Sequence, residues 1–135
     1  MSGYLLDTNI LSDLMRNPSG VIAKHFEQEK PSEIYTSIIV AAELRYGCAK
    51  KGSAKLSARV EALLETLTIL PLESPVDREY GRIRAELEAA GELIGNNDLL
   101  IAAQATAQGL ILVTDNMREF SRVVGLTLEN WLKEL

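Results

Sequence analysis

Polar positions divide the chain into apolar stretches, and the period of each stretch predicts its element. Tyr4-Leu5-Leu6 is a short apolar run that ends abruptly in Asp7-Thr8-Asn9, the pattern of a buried parallel strand. Ile10, Leu11, Leu14 and Met15 then recur at helical spacing until Asn17-Pro18-Ser19-Gly20 breaks them. A second helix is predicted from Val21 to about Gln28, with a stop at Lys30-Pro31-Ser32 and a β-branched, aromatic strand at Ile34-Tyr35-Thr36-Ser37. Ile39, Val40, Ala42, Leu44 and Tyr46 form a mostly apolar helix ending at or soon after Gly47, and Glu43 sits in its middle. Leu56, Val60, Leu63, Leu64 and Leu67 mark the clearest amphipathic helix.

Ile69-Leu70-Pro71-Leu72 predicts a third strand at a sheet edge, because Pro71 cannot donate to a ladder. Ser74-Pro75-Val76-Asp77 then signals a helix start with Ser74 as cap, continued by Val76, Tyr80, Ile83, Leu87 and Ala90 as far as Gly91. Gly95-Asn96-Asn97-Asp98 opens a strongly apolar helix from Leu99 to about Gln108, stopped by Gly109. A fourth strand, Leu110 to Thr114, ends in Asp115-Asn116 and repeats the layout of Leu5-Leu6-Asp7; Leu126-Thr127-Leu128 predicts a short fifth. Strands alternating with helices imply one α/β domain over residues 1–135, a three-layer α/β/α sandwich around a mainly parallel sheet of about five strands.

Composition narrows the chemistry. At 135 residues and 47% hydrophobic content there is material for one substantial core. No apolar stretch is long enough to span a bilayer and no signal-peptide pattern opens the chain, so a cytoplasmic protein is expected. The lone Cys48 lies between Gly47 and Ala49 and reads as a small packed residue. The single His25 has no serine or cysteine partner in a recognisable motif, which disfavours triad chemistry and His- or Cys-based zinc sites. A net charge of −5 excludes a surface that grips nucleic acid everywhere. Between Glu43 and Glu61, however, Arg45, Lys50, Lys51, Lys55 and Arg59 occur with no acid among them. A solvated helix face explains such a run; RNA contact by Arg45, Lys50, Lys51 and Lys55 is the functional alternative.

Four acids punctuate otherwise apolar stretches. Asp7 and Asp115 follow strand ends, Asp98 opens a helix, and Glu43 lies on the helix leaving the second strand. Most others, such as Glu27, Glu29, Glu86, Glu88 and Glu134, sit among polar neighbours as ordinary surface. If the first and fourth strands are neighbours at a topological switch point, the four converge on one cleft. Carboxylates gathered in a cleft repel unless a cation neutralises them, and an oxygen-only donor set favours Mg²⁺ or Mn²⁺. Such a cluster activates water against a phosphodiester.

Four stretches in order, Tyr4-Leu5-Leu6-Asp7-Thr8-Asn9, Ala41-Ala42-Glu43-Leu44-Arg45-Tyr46-Gly47, Ile94-Gly95-Asn96-Asn97-Asp98-Leu99-Leu100-Ile101-Ala102 and Leu112-Val113-Thr114-Asp115-Asn116-Met117-Arg118-Glu119-Phe120, resemble the motifs of PIN-domain ribonucleases. The likeness is to the VapC-type toxins of bacterial toxin–antitoxin pairs, and it runs nearly the whole chain to Leu128-Glu129-Asn130-Trp131. It implies Mg²⁺- or Mn²⁺-dependent endonucleolytic cleavage of RNA, with transfer RNA favoured, neutralisation by a cognate antitoxin protein, and a homodimer. It implies Asp7, Glu43 and Asp98 as catalytic acids and metal ligands, with Thr8, Asn9 and Thr114 as supporting polar residues. Many PIN domains carry a fourth acid two residues after a strand-terminal Thr like Thr114. That place is held here by Asn116, which offers a carbonyl oxygen but no charge, and Asp115 stands between as the candidate fourth acid. A phosphoaspartyl phosphatase or phosphotransferase would also use Asp7, but the haloacid dehalogenase type needs a second Asp where Asn9 stands. A non-catalytic PIN-like interaction module is the other alternative.

Overall fold

Leu6, at the end of the first strand, faces Thr36 on one neighbour and Val113 on the other, and this register sets where every functional side chain emerges. The computed structural model describes residues 2–30 and 33–133; Pro31 and Ser32 of the predicted stop, and Glu134, lie outside that range. Its elements run β1 (Tyr4–Leu6), α1 (Thr8–Arg16), α2 (Val21–Gln28), β2 (Ile34–Ser37), α3 (Ile38–Lys51), α4 (Ala54–Glu65), β3 (Thr68–Leu70), α5 (Val76–Ala89), α6 (Asn96–Gln108), β4 (Ile111–Val113), α7 (Met117–Phe120) and β5 (Leu128–Glu129). The five strands are all parallel in the order β3-β2-β1-β4-β5. The sheet is the middle layer of an α/β/α sandwich, and the switch point falls between β1 and β4, as the acid layout requires.

Burial explains the order. β1 and β4 are central, and Leu5, Leu6, Leu112 and Val113 are fully buried, as strands covered on both faces must be. Along α6, Leu99, Ile101, Ala102, Ala103, Gln104 and Ala105 are all buried, so this helix is apolar on nearly every side. Helices α1 to α4 pack on one another, and α5 packs along α6. β3 takes the edge next to Pro71, as expected, and Gln104 Nε2 donates to the Leu70 and Pro71 carbonyls at 3.1 Å each. No described helix is long and apolar enough to cross a membrane.

Several element bounds differ from expectation. Helix α3 runs through Gly47 to Lys51, because Gly47 keeps helical geometry and the left-handed cap falls at Gly52, φ 64°. Lys50 and Lys51 therefore occupy its last turn, where cations oppose the helix dipole. Helix α5 begins at Val76, so Pro75 rather than Ser74 holds the cap position and makes no side-chain cap. The short helix α7 is not announced by any apolar period, and β5 lies at Leu128–Glu129 rather than starting at Leu126.

Candidate active site

The β1 strand ends at Leu6, so Asp7 is the first residue beyond the sheet and its backbone is still extended, ψ 165°. It is also the N-cap of α1: Oδ1 accepts from the Thr8 backbone N–H at 2.8 Å. Asp7 is therefore cap and site residue at once, and Thr8 is already in the helix. Asp7 Oδ2 accepts from Thr114 Oγ1 at 2.7 Å and from Asn9 Nδ2 at 3.4 Å. Asp7 is only 4% exposed, and burial pushes its carboxyl above the usual range despite these three donors; the charge of Glu43 adds to the push.

Thr114 ties the two strand ends together. Besides donating to Asp7, its hydroxyl accepts from the Asn116 backbone N–H at 3.0 Å and from Asn9 Nδ2 at 3.4 Å. Asn9 Oδ1 accepts from the Asp115 backbone N–H at 3.0 Å. Thr8 Oγ1 donates to Glu43 Oε1 at 2.7 Å, which orients that carboxylate from across the cleft. Thr8, Asn9 and Thr114 therefore hold acids and backbone in place. Glu43 is half-buried in the middle of α3, between the buried Ala41 and Leu44.

Asp98 lies in the first turn of α6 behind Gly95. Its carboxyl is pushed up to about 7 by burial first, then by its hydrogen bond with Glu119 and the charges of Asp7, Glu119 and Glu43. Glu119, in turn, is held below the usual range because the Asp98 carboxyl and Asn116 Nδ2, at 2.9 Å, both donate to it. Four acids thus share one field at the carboxyl end of the sheet: Asp7, Glu43, Asp98 and Glu119. Both Asp7 and Asp98 stand at helix N-termini, whose partial positive charge favours carboxylates.

The structure places Asp115 apart from these four. Asp115 is exposed, and its Oδ1 accepts from Asn130 Nδ2 at 2.9 Å; it is not among the main charges that raise Asp98. Glu119 escapes a reading of the sequence because it stands in the polar stretch Met117-Arg118-Glu119. The readable signal is Asn116-x-x-Glu119: one helical turn after the strand-end Thr carries an acid back to the place where Asn116 lacks one.

The donors are oxygen only: four carboxylates, plus the amide oxygen of Asn116, whose nitrogen is committed to Glu119. That chemistry fits a hard divalent cation. Among the described residues no three carboxylates stand close enough to form a metal cage by themselves. A cation here would offset the charges of Asp7, Glu43 and Glu119, which add to the effect of burial on Asp98.

The basic residues divide. Arg45 is engaged by Glu61 of α4 through two hydrogen bonds of 2.9 Å, so its charge is matched. Lys50, Lys51 and Lys55 are exposed, with no ion pair among the described residues.

Comparison with known proteins agrees with this layout. Residues 4–126 match the PIN domain family. The chain is 42% identical over 133 residues to Ribonuclease VapC2 of Haemophilus influenzae, covering 98% of this chain and 100% of the relative. It is 33% identical over 132 residues to the tRNA(fMet)-specific endonuclease VapC of Shigella flexneri, covering 97% and 99%. The crystal structure of VapBC2 from Rickettsia felis bound to a DNA fragment from the promoter contains a chain that superposes with TM-score 0.87 at 38% identity, over 97% of this chain and 99% of that one. With its parallel sheet, its ordered motifs and relatives matched end to end, this chain belongs to the PIN-domain family, among its VapC-type members.

Proposed function

We propose that the protein is a Mg²⁺- or Mn²⁺-dependent endoribonuclease, the toxin of a toxin–antitoxin pair. The observation that carries this reading is the meeting of Asp7, Glu43, Asp98 and Glu119 at the β1/β4 switch point, with Asp98 pushed up to about 7 by burial first and then by these neighbours. Asp7, Asp98 and Glu119 would hold the ion, with Glu43 and the Asn116 oxygen beside them. When bound, the ion supplies Lewis-acid activation of water and stabilises charge on the attacked phosphate. The chain's own part is orientation: Thr114 and the Thr8 N–H fix the Asp7 carboxylate, Thr8 Oγ1 fixes Glu43, and Asn116 fixes Glu119. Glu43, oriented by Thr8 Oγ1, would be the carboxylate that takes a proton from water.

Relatives supply the rest. The tRNA(fMet)-specific relative of Shigella flexneri makes transfer RNA the first substrate class to test. Similar solved structures are VapBC complexes, which supports a cognate antitoxin as partner. A homodimer and a cytoplasmic location follow from the same family reading. A phosphoaspartyl mechanism fares worse, because Asn9 stands where the second acid is needed and its amide is spent on Asp7, Thr114 and Asp115.

The test is cleavage of purified transfer RNA by the chain freed of any partner. Mg²⁺ or Mn²⁺ restores cleavage after EDTA, and Asp7→Asn loses it while keeping the wild-type circular dichroism spectrum. Cleavage that persists in excess EDTA, or in the mutant, overturns the metal mechanism. Exchanging Lys50 or Lys55 for Ala weakens RNA binding and lowers its salt slope by about one for each lysine that meets a phosphate; an unchanged slope returns those residues to plain surface.

A further inference from the structure

Gly47 lies in the interior of α3, and nothing about the backbone calls for glycine. It has no positive φ, and a Cβ built on it meets no heavy atom within 4 Å. Glycine is the least favourable residue in a helix interior apart from proline. What its missing side chain does is keep a slot open. The slot, about 290 Å³, lies between α1, α3 and α4; Met15, Leu44, Leu56 and Val60 supply apolar walls, with Cys48 beside Gly47. Thr8 and Glu43 line it too, so it shares a wall with the acid cluster. Arg16, Lys51 and Arg59 also line it. Arg16 reaches an acid only at 3.9 Å, Lys51 has no ion pair among the described residues, and Arg59 donates to the Met15 carbonyl rather than to a carboxylate.

The geometry points to a subsite for one nucleotide of single-stranded RNA, next to the phosphate that the acid cluster cuts. An apolar slot takes the face of a base and the cations take its phosphate. The common wall at Thr8 and Glu43 makes this the neighbour of the cut position rather than a remote site. Charge favours RNA over other occupants: three cations gather here on a chain whose net charge is −5. This subsite rests on the ribonuclease reading for its position, but its occupancy can be tested without cleavage.

Gly47→Leu fills the slot from a position that has room for a side chain, and Gly47→Ala is the control that strengthens the helix with little filling. Cleavage of short oligoribonucleotides by the metal-supplied chain should show KM raised about tenfold by Gly47→Leu, the loss of one base buried against the apolar walls, with kcat within about threefold. Preference for the base at one position beside the cut should relax in the same variant. Lys51→Glu, which does not depend on how the leucine packs, should lower the salt slope of binding by about one. In parallel, fluorescence anisotropy of a fluorescein-labelled single-stranded oligoribonucleotide of mixed sequence reads binding alone. Weaker binding by Gly47→Leu than by Gly47→Ala supports the subsite even if the wild type cuts nothing. Equal binding by the two variants, no binding by the wild type, or a loss confined to an antitoxin peptide with RNA unaffected overturns it.

Discussion

Both oxygens of Asp7 accept hydrogen bonds, so an amide at this position must set one donor against another. The Thr8 backbone N–H cannot turn, which fixes the amide oxygen of Asp7→Asn there and leaves its nitrogen facing Thr114 Oγ1. The lost bond costs about 1 kcal/mol, while removing a buried charge whose carboxyl is pushed up by burial works the other way. Urea unfolding should therefore find Asp7→Asn within about 1 kcal/mol of the wild type although cleavage is lost. The fourth acid separates more sharply. Glu119→Gln should raise the metal concentration needed for cleavage about tenfold or more, whereas Asp115→Asn, exposed and bonded to Asn130, should change it less than about twofold. Metal titrations of the two variants decide it, and the reverse ranking would restore Asp115 to the site. Asp7, Glu43 and Asp98 are legible in the sequence because each interrupts an apolar stretch. Glu119 is not, because its neighbours are polar and only the turn of α7 brings it back to Asp98.

At the scale of elements, what can be read is periodicity, and what cannot is geometry set by neighbours. The strands and long helices fall where apolar spacing puts them. The end of α3 does not, because glycine is a stop only where the chain needs left-handed geometry, which Gly52 adopts and Gly47 does not. Gly3 is the converse case: its φ is 124°, and a Cβ there would run into the Glu33 carbonyl, where β1 passes the start of β2. Alanine at the two positions should therefore act in opposite directions. Gly3→Ala should destabilise by about 1–3 kcal/mol, and Gly47→Ala should stabilise by about 0.5–1 kcal/mol, both read from urea midpoints. Destabilisation by Gly47→Ala would mean that something in the folded chain does need glycine there, and the open-slot explanation would fail with it. The short helix α7 and the displaced β5 are too brief to carry a period, and their places are set by the turn at Thr114 and the packing of Phe120 and Trp131.

Across the whole molecule, Tyr4 and Trp131, far apart in sequence, meet in a ring cluster that no local pattern announces. Trp131, 1% exposed, is stacked by His25 of α2 at 4.8 Å and 3°, met edge-on by Tyr4 of β1 at 5.1 Å, and approached by Phe26 at 6.1 Å. Its indole N–H donates to Glu129 of β5 at 2.9 Å, so the cluster joins α2, β1 and β5. His25 Nε2 is buried without a partner among the described residues, and desolvation holds the imidazole below its usual pKa although Glu129 and Glu29 pull the other way. A group whose folded pKa is depressed leaves the unfolded chain binding more protons, so stability falls as pH falls. The contribution of His25 is complete above the unfolded value of about 6.5 and is lost as pH drops from there toward the lower folded one. Asp98 acts in the opposite sense, since its carboxyl is raised to about 7 and its protonated form favours the metal-free fold as pH falls. The comparison that isolates His25 is therefore a difference: metal-free wild type against His25→Phe, each unfolded in urea at about pH 8 and about pH 5.5. Asp98 and the other carboxylates cancel in that difference. The wild type should lose stability relative to His25→Phe on acidification; equal changes in the two proteins would mean that His25 titrates as freely folded as unfolded, and that the clasp on Trp131 is insensitive to its charge.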